Sequence, residues 1–207
     1  VHSVELEKGR GWDLIEQSDG ILVPGGFGSR GIEGKIQAIR FARQKKVPYL
    51  GLCLGMQLMV VEFARSILGD ESANSTEFDR TTSHPVIDLM PDQRSIADMG
   101  GTMRLGQYPC ELVPGSLAHR IYGRDVINER HRHRYEFNNK YIEMYTMAGM
   151  HATGINPNED LVEIVEIENH PWFVGVQFHP EYRSTVENPH PLFVRFVKAA
   201  IDYSKSL

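Results

Sequence analysis

The alternation of apolar segments predicts an α/β fold: an open, mostly parallel sheet with helices on both faces, then a C-terminal β-hairpin and a helix. Three observations carry this. The first third reads strand, helix, strand, helix. Its strands are short unbroken apolar runs, as strands buried on both faces are. Two apolar runs near the end are joined only by Asn169-His170-Pro171, which predicts a hairpin. In chain order, Gly-Ile-Leu-Val-Pro over 20–24 is a buried strand that ends in the loop Gly25-Gly26-Phe27-Gly28. Residues 35–46 form a helix. Ile36, Ile39 and Phe41 are its apolar positions, Arg43, Lys45 and Lys46 suit its C-terminal end, and Pro48 stops it. Residues 47–52 are the next buried strand, and 54–68 a helix apolar nearly all round, closed by Gly69. The middle, 72–139, is looser, with strand-like pieces over 85–90, 103–105 and 126–137 and a short helix near Leu117. The hairpin strands cover 161–168 and 172–178. Leu192, Phe193, Phe196, Val197, Ala200 and Ile201 recur at helical spacing and give the last helix.

The bulk numbers exclude several classes of function. At 207 residues, 41% hydrophobic and 24% charged, the chain suits one globular domain over 1–207. A net charge of −5 gives no basic field to draw it to nucleic acid or an anionic membrane. Two cysteines, Cys53 and Cys110, make no disulfide framework, so a reducing, cytoplasmic setting is expected. No apolar run approaches the ~18 residues of a membrane helix, and the N-terminus does not read as a signal peptide. The chain starts at Val1 without an initiator Met, so a processed or excised piece is expected.

Gly51-Leu52-Cys53-Leu54-Gly55 is the most specific stretch. A strand turning sharply into a helix, with glycine two residues either side of a nucleophile, is the layout of a nucleophile elbow. The thiol stands at a helix N-terminus, where the dipole favours thiolate and pKa values can fall to roughly 3.5–7.5. On this motif alone a buried core cysteine is as good a reading. Gly26-Phe27-Gly28-Ser29-Arg30-Gly31 matches the dinucleotide pattern G-x-G-x-x-G, but the acidic residue that should end the next strand is replaced by Gly51-Leu52-Cys53. What remains is a loop of backbone N–H groups at the edge from which Cys53 projects.

A cysteine nucleophile wants a histidine to take its proton and a third group to orient that histidine. Of nine histidines, His179 is best placed. It follows the apolar run 172–178 in Phe178-His179-Pro180-Glu181, and a turn at Pro180 would bring Glu181 to its ring. The competing constellation is Glu129-Arg130-His131-Arg132-His133-Arg134-Tyr135. There His131 and His133 alternate onto one face of a strand as some metal ligands do, but no third ligand is in view and no metal is expected. The arginines of that stretch share the opposite face, either holding an anionic group or simply solvated.

With these motifs in place, the chain resembles the class I (triad) glutamine amidotransferases. The resemblance rests on Pro24-Gly25-Gly26-Phe27-Gly28, Gly51-Leu52-Cys53-Leu54-Gly55-Met56-Gln57 and Phe178-His179-Pro180-Glu181. Ala73 to Phe78, Met99 to Gly106 and Glu129 to Glu136 look like the amidotransferase domains of CTP synthases, and the likeness runs from about Ser18 to the C-terminus. The resemblance implies a flavodoxin-like core and hydrolysis of glutamine to glutamate and ammonia. It implies Cys53, His179 and Glu181 as the triad, with an oxyanion hole from the backbone N–H groups of Gly26 and Leu54. It implies glutamine-binding by Gly26, Leu54, Gly55, Met56, Gln57, Glu77 and Arg134. Gln57 also lies one helical turn after Cys53, from which it can reach back to the pocket mouth.

By the same resemblance the domain itself needs no cofactor. The intact enzyme, a homotetramer, would use ATP, UTP and Mg²⁺ in a separate synthetase domain, with GTP as an allosteric activator. That synthetase domain and the family's first strand–helix unit are absent from this sequence. Two rivals keep parts of this reading: an amidotransferase serving another acceptor, such as GMP synthase, and a non-catalytic module with a retained pocket.

Overall fold

The computed structural model describes residues 1–89 and 103–206. Two short helices open the chain, α1 (Ser3–Glu7) and α2 (Trp12–Glu16). They are followed by β1 (Ile21–Val23), α3 (Ile32–Lys45), β2 (Tyr49–Leu52) and α4 (Leu54–Leu68). Next come β3 (Asn74–Ser75), β4 (Pro85–Leu89), β5 (Arg104–Leu112), α5 (Leu117–Tyr122), β6 (Val126–His133) and β7 (Tyr135–Phe137). The chain ends with α6 (Ile142–Met147), β8 (Met150–Asn156), β9 (Leu161–Ile167), β10 (Phe173–Val176) and α7 (Pro191–Ser204). Met90, and the Met99 to Thr102 part of the Met99–Gly106 stretch, lie outside the described residues.

One seven-stranded sheet runs β1-β2-β10-β9-β8-β5-β6. Its parallel part is β1, β2 and β10, with Gly51 of β2 between Val23 and Gly175. Both β2 and β10 are buried throughout, as strands covered on both faces must be. The remaining pairs are antiparallel, so the sheet is mixed. Chain length explains the change. The links β8 to β9 and β9 to β10 are only a few residues long, and a parallel pair needs a crossover of about a dozen. The hairpin read from the sequence is the β9–β10 pair. A second, three-stranded sheet runs β3-β4-β7. The strand-like stretch over 126–137 is therefore not one strand. It breaks at Arg134 and passes from one sheet to the other.

Side chains alternate between two cores. Tyr49 and Phe173, on neighbouring strands, stack at 4.6 Å and face Ile36, Ile39, Met56 and Val60 of α3 and α4. Leu50, Leu52, Val174 and Val176 face the opposite way, onto Ala118 of α5 and Leu192 of α7. Helices thus cover both faces. Each fully buried side chain of this size contributes about 1.5–3 kcal/mol, and twelve of the fifteen residues of α4 are buried. Among them is Glu62, which Arg43 holds through two hydrogen bonds of 2.8 Å. Helix α7 is amphipathic as its spacing predicts, yet Val197 and Ile201 are exposed. No described helix is long and apolar enough to cross a membrane.

One buried hydrogen bond ties strand to helix where the site will form. The hydroxyl of Tyr49 donates to the carbonyl of Gly55 at 2.9 Å. Tyr49→Phe keeps the ring in place and removes only that bond. It should lower unfolding free energy by about 1 kcal/mol, measured by chemical denaturation; no loss would show that the bond carries nothing.

Candidate active site

Cys53 is the single residue between β2 and α4. Its backbone has φ 49° and ψ −103°, a region that side chains rarely adopt and that costs about 1–3 kcal/mol. The surroundings hold it there. Cys53 N–H donates to the Val176 carbonyl at 2.7 Å, and the Cys53 carbonyl accepts from Gln57 N–H at 3.1 Å. The flanking glycines are steric necessities. A Cβ on Gly51 would lie 2.7 Å from the carbonyl carbon of Gly55, and one on Gly55 would lie 2.1 Å from the Val23 carbonyl oxygen.

The thiol is 2% exposed. Burial pushes its pKa up to about 12. The Leu54 N–H acts against that rise, and the carboxylates of Glu136, Glu181 and Glu77 add to it. The low value that a helix N-terminus favours is therefore not the resting state. Desolvation beside three carboxylates outweighs the dipole, and Cys53 rests as a protonated thiol.

His179 follows the end of β10. Its N–H is fixed to the Arg130 carbonyl at 2.8 Å, and its ring stacks on Tyr182 at 4.9 Å. The chain turns at Pro180 into a short 3₁₀ segment, Pro180–Arg183, which returns Glu181 to the ring. His179 Nδ1 and Glu181 Oε1 are 2.6 Å apart, while His179 Nε2 is buried with no partner. Burial is the largest single effect on the Glu181 carboxyl and raises it, but the hydrogen bond from His179, a backbone N–H and the charges of His179 and His190 together outweigh it and leave the pKa lowered. Gly25 reports how close the base stands to the thiol. A Cβ there would meet His179 Cε1 at 2.8 Å and Cys53 Cβ at 3.5 Å. Both side chains border Gly25, where there is no room for a larger residue.

A cleft with about 280 Å³ of atom-free space opens here, lined by Gly26, Phe27, Cys53, Gln57, Glu77, His133, Arg134 and Tyr135. Glu77 Oε1 accepts from Gly28 N–H at 3.2 Å. Burial raises its carboxyl, against the opposing pull of that N–H and of Arg134. Gln57 Nε2 donates to the Tyr135 carbonyl at 2.9 Å and to Gln177 Oε1 at 3.2 Å. Gly26 lies against Leu54, whose Cδ2 would be 3.3 Å from an added Cβ. Three expected glutamine-binding residues, Leu54, Gly55 and Met56, are not on the cleft wall. Met56 packs its side chain against Gly175, and Gly55 is taken up by the close approach to Val23. Larger grooves lie elsewhere, such as one between α5 and α7, but none of these brings a thiol to a histidine.

Sequence reasoning missed Phe27, His133 and Tyr135 on this wall, and Gly25 beneath the base. The alternation of His131 with His133 was the available signal for one of them. Both do face inward from β6, but against Glu163 and Glu136, and no group that could hold a metal is present among the described residues. Arg130 and Arg132 are on the exposed face.

The family profile described as glutamine amidotransferase class-I matches residues 3–199. The chain belongs to the class I glutamine amidotransferase family. The CTP synthase of Cytophaga hutchinsonii is 58% identical over 205 residues, which is 99% of this chain and 38% of that protein. That of Clostridium beijerinckii is 56% identical over 206 residues, 100% of this chain and again 38% of the relative. Among solved structures, the glutaminase domain of Trypanosoma brucei CTPS with bound acivicin superposes with a TM-score of 0.90 at 38% identity, covering 98% of this chain and 79% of that one. Within the family, then, the chain closely resembles the glutaminase portion of CTP synthases. It spans under two fifths of the length of those curated relatives. A putative GMP synthase subunit from Thermoplasma acidophilum, 16% identical with a TM-score of 0.60, shares the fold.

The His179–Glu181 bond makes a signed prediction. The folded-state Glu181 carboxyl lies below its ordinary value, so its contribution to stability is present above the unfolded pKa of about 4.3 and is lost as pH falls through the lowered one. Melting curves of wild type and Glu181→Gln should differ at neutral pH and converge in acid. A gap that stays constant into that range would refute the assignment.

Proposed function

We propose that this domain hydrolyses glutamine to glutamate and ammonia through a γ-glutamyl thioester on Cys53. The observation that carries the reading is the buried, unpartnered Nε2 of His179, oriented by Glu181 and set beside a thiol on a strained elbow. With Nδ1–H donated to Glu181, Nε2 offers a lone pair. It takes the Cys53 proton as sulfur attacks the side-chain carbonyl carbon of glutamine. Because the thiol rests protonated, deprotonation is coupled to attack rather than preceding it. The oxyanion that forms is held by the N–H groups of Gly26 and Leu54; losing a donor of this kind costs about 10²–10³ in rate. Collapse breaks the carbon–nitrogen bond, and the proton on His179 goes to the departing amine. Water then attacks the thioester with His179 as base, releasing glutamate and the thiol.

The amino-acid end of glutamine carries one charge of each sign. Glu77 and Arg134 stand on the same cleft wall and match them, carboxylate to ammonium and guanidinium to carboxylate. Gly55 and Met56 would contribute, if at all, through their backbone in the first turn of α4. Gln57 closes the mouth from the same helix.

The acceptor reading rests on the CTP synthase relatives. The ammonia would pass to a synthetase domain that aminates UTP to CTP with ATP and Mg²⁺, with GTP stimulating the transfer. The whole enzyme would be a cytoplasmic homotetramer, and no cofactor would be needed for the glutaminase step.

Incubation of the protein with glutamine followed by rapid acid quench and mass spectrometry should reveal a γ-glutamyl adduct on Cys53. Cys53→Ala should abolish both the adduct and glutamate release. His179→Ala should slow release by roughly 10²–10⁴-fold. Glutamate release by Cys53→Ala at the wild-type rate would overturn the mechanism and favour a pocket kept only for binding.

A further inference from the structure

Besides the His179–Glu181 pair there is a second histidine–carboxylate pair that the thioester chemistry does not use, with its histidine, His133, on the cleft wall and its carboxylate, Glu136, behind it. His133 is 2% exposed and Glu136 3% exposed. His133 Nε2 and Glu136 Oε1 are 2.7 Å apart, while His133 Nδ1 is buried with no partner. Glu136 is itself held. Arg104 NH1 donates to the same oxygen at 3.2 Å, and Arg104 NH2 donates to Glu163 Oε1 at 2.8 Å. Glu163 belongs to β9 in the middle of the large sheet and is fully buried. The pair is thus anchored through one guanidinium to the rigid part of the fold.

What the pair spans is the point. His133 is the last residue of β6 and Glu136 the middle residue of β7. Between them lie Arg134 and Tyr135, where the chain leaves the seven-stranded sheet and enters the three-stranded one. His133 is paired with Arg104 of β5 and Tyr135 with Leu89 of β4, so the change of sheet falls at Arg134. Both bracketed residues line the cleft, and the Tyr135 carbonyl is the acceptor that fixes Gln57. Through one short bond across three residues, then, the joint that presents Arg134 and Gln57 is locked at a single angle. A hydrophobic pair could fill the same volume but could not be tied to Arg104, and so would leave the angle to packing alone.

We propose that His133 and Glu136 are positioning residues for recognition of the amino-acid end of the substrate: clamped by Arg104, their hydrogen bond sets the β6–β7 joint so that Arg134 meets the substrate carboxylate. The inference rests on the glutamine reading of the cleft. It assigns the pair to binding rather than to proton transfer. Loss of the clamp therefore weakens capture of glutamine and leaves the Cys53–His179 chemistry, carried by β2, α4 and β10, in place.

The test uses two readouts on wild type, His133→Ala, His133→Gln and Glu136→Gln. One is steady-state glutamine hydrolysis. The other is protection of Cys53 by L-glutamine against a small neutral alkylating agent, iodoacetamide, which has no amino-acid end to recognise. The expected result for His133→Ala and Glu136→Gln is a rise of 10-fold or more in KM and in the glutamine concentration that half-protects Cys53. For His133→Ala, kcat should change by less than 3-fold and alkylation without glutamine should be unaltered; Glu136→Gln also removes a carboxylate that raises the Cys53 thiol, so its half-protection is read against its own alkylation rate without glutamine. His133→Gln, which keeps an N–H for Glu136, should recover most of the loss. A fall in kcat at unchanged KM would overturn the proposal by making the pair part of the proton chemistry, and unchanged half-protection would overturn it outright. If Glu136→Gln does not fold, His133→Ala against His133→Gln decides. Failure of glutamine to protect wild-type Cys53 would instead bring down the glutamine reading, and is distinguished by appearing without any substitution.

Discussion

Everything at the site depends on how closely the first turn of α4 approaches the ends of β1 and β2. At Gly55 there is no space for even one carbon beyond Cα before the Val23 carbonyl, and at Gly51 none before the backbone of the helix. That compression forces the chain through the sparsely populated conformation at Cys53 and turns its side chain to the strand ends. The strain persists because the native contacts over-determine it. The Tyr49 hydroxyl holds the Gly55 carbonyl, β10 holds the Cys53 N–H through Val176, and twelve buried residues of α4 hold the helix. Relaxing the elbow would mean moving the most buried helix of the domain. Stability of the core is thereby converted into a fixed position for one sulfur atom.

The same geometry settles the electrostatics of the thiol. An exposed cysteine at a helix N-terminus would ionise readily, but here the helix end is inside the protein and three carboxylates surround it. A thiolate held permanently in such a place would be costly, and in an accessible place it would be open to oxidation. A buried thiol beside an imidazole avoids both, at the expense of needing proton transfer in every turnover. The geometry that makes that transfer feasible is the single turn at Pro180, which lets two residues of one loop supply both the base and the group that orients it.

Much of this was legible in the sequence where local rules and tertiary packing agree. The parallel strands and α4 were readable because unbroken apolar runs are what buried strands and a buried helix require, and α4 spans 54–68 as its pattern predicts. The elbow was readable because glycine spacing records a backbone approach. The middle of the chain was readable only in part: β4, the helix near Leu117 and the strand character of 126–137 were, but the length of β5, the break between β6 and β7 and all of β8 were not. Strand β5 runs nine residues through Gln107 and Glu111, and β6 carries Glu129, His131 and His133 on its inward face, so neither shows an apolar period. Strand β8, with Thr153, Gly154 and Asn156, is no clearer. For the site, the Cys, His and Glu of the triad announce themselves by position after a strand. Phe27 and Tyr135 reach the cleft only because a loop and a sheet-to-sheet joint fold over it, and no local pattern encodes that.

The illegible part and the functional part coincide for a physical reason. Among the described residues, the buried side-chain polar atoms without partners belong to Arg104, Glu129, His131, His133, Glu136, Asn156, Glu163, Trp172, Gln177 and His179. None is on β1, α3, β2 or α4. A buried polar atom that lacks a hydrogen bond costs about 1–3 kcal/mol, so the chain bears this burial on the antiparallel side and at the strand ends, while the polar groups buried in α4, such as Glu62, are hydrogen-bonded. The charges there shape one another. Burial, with the added charge of His133, Arg104 and His179, pushes His131 down to about 2 and keeps it neutral, while burial raises Glu163 despite the hydrogen bond from Arg104. A wall built from such groups would not hold a fold together by itself. It is tolerable only because β2, β10 and α4 beside it form an apolar core stable enough to carry it, so that Cys53 comes from the stable half of the domain and Arg134 from the polar one.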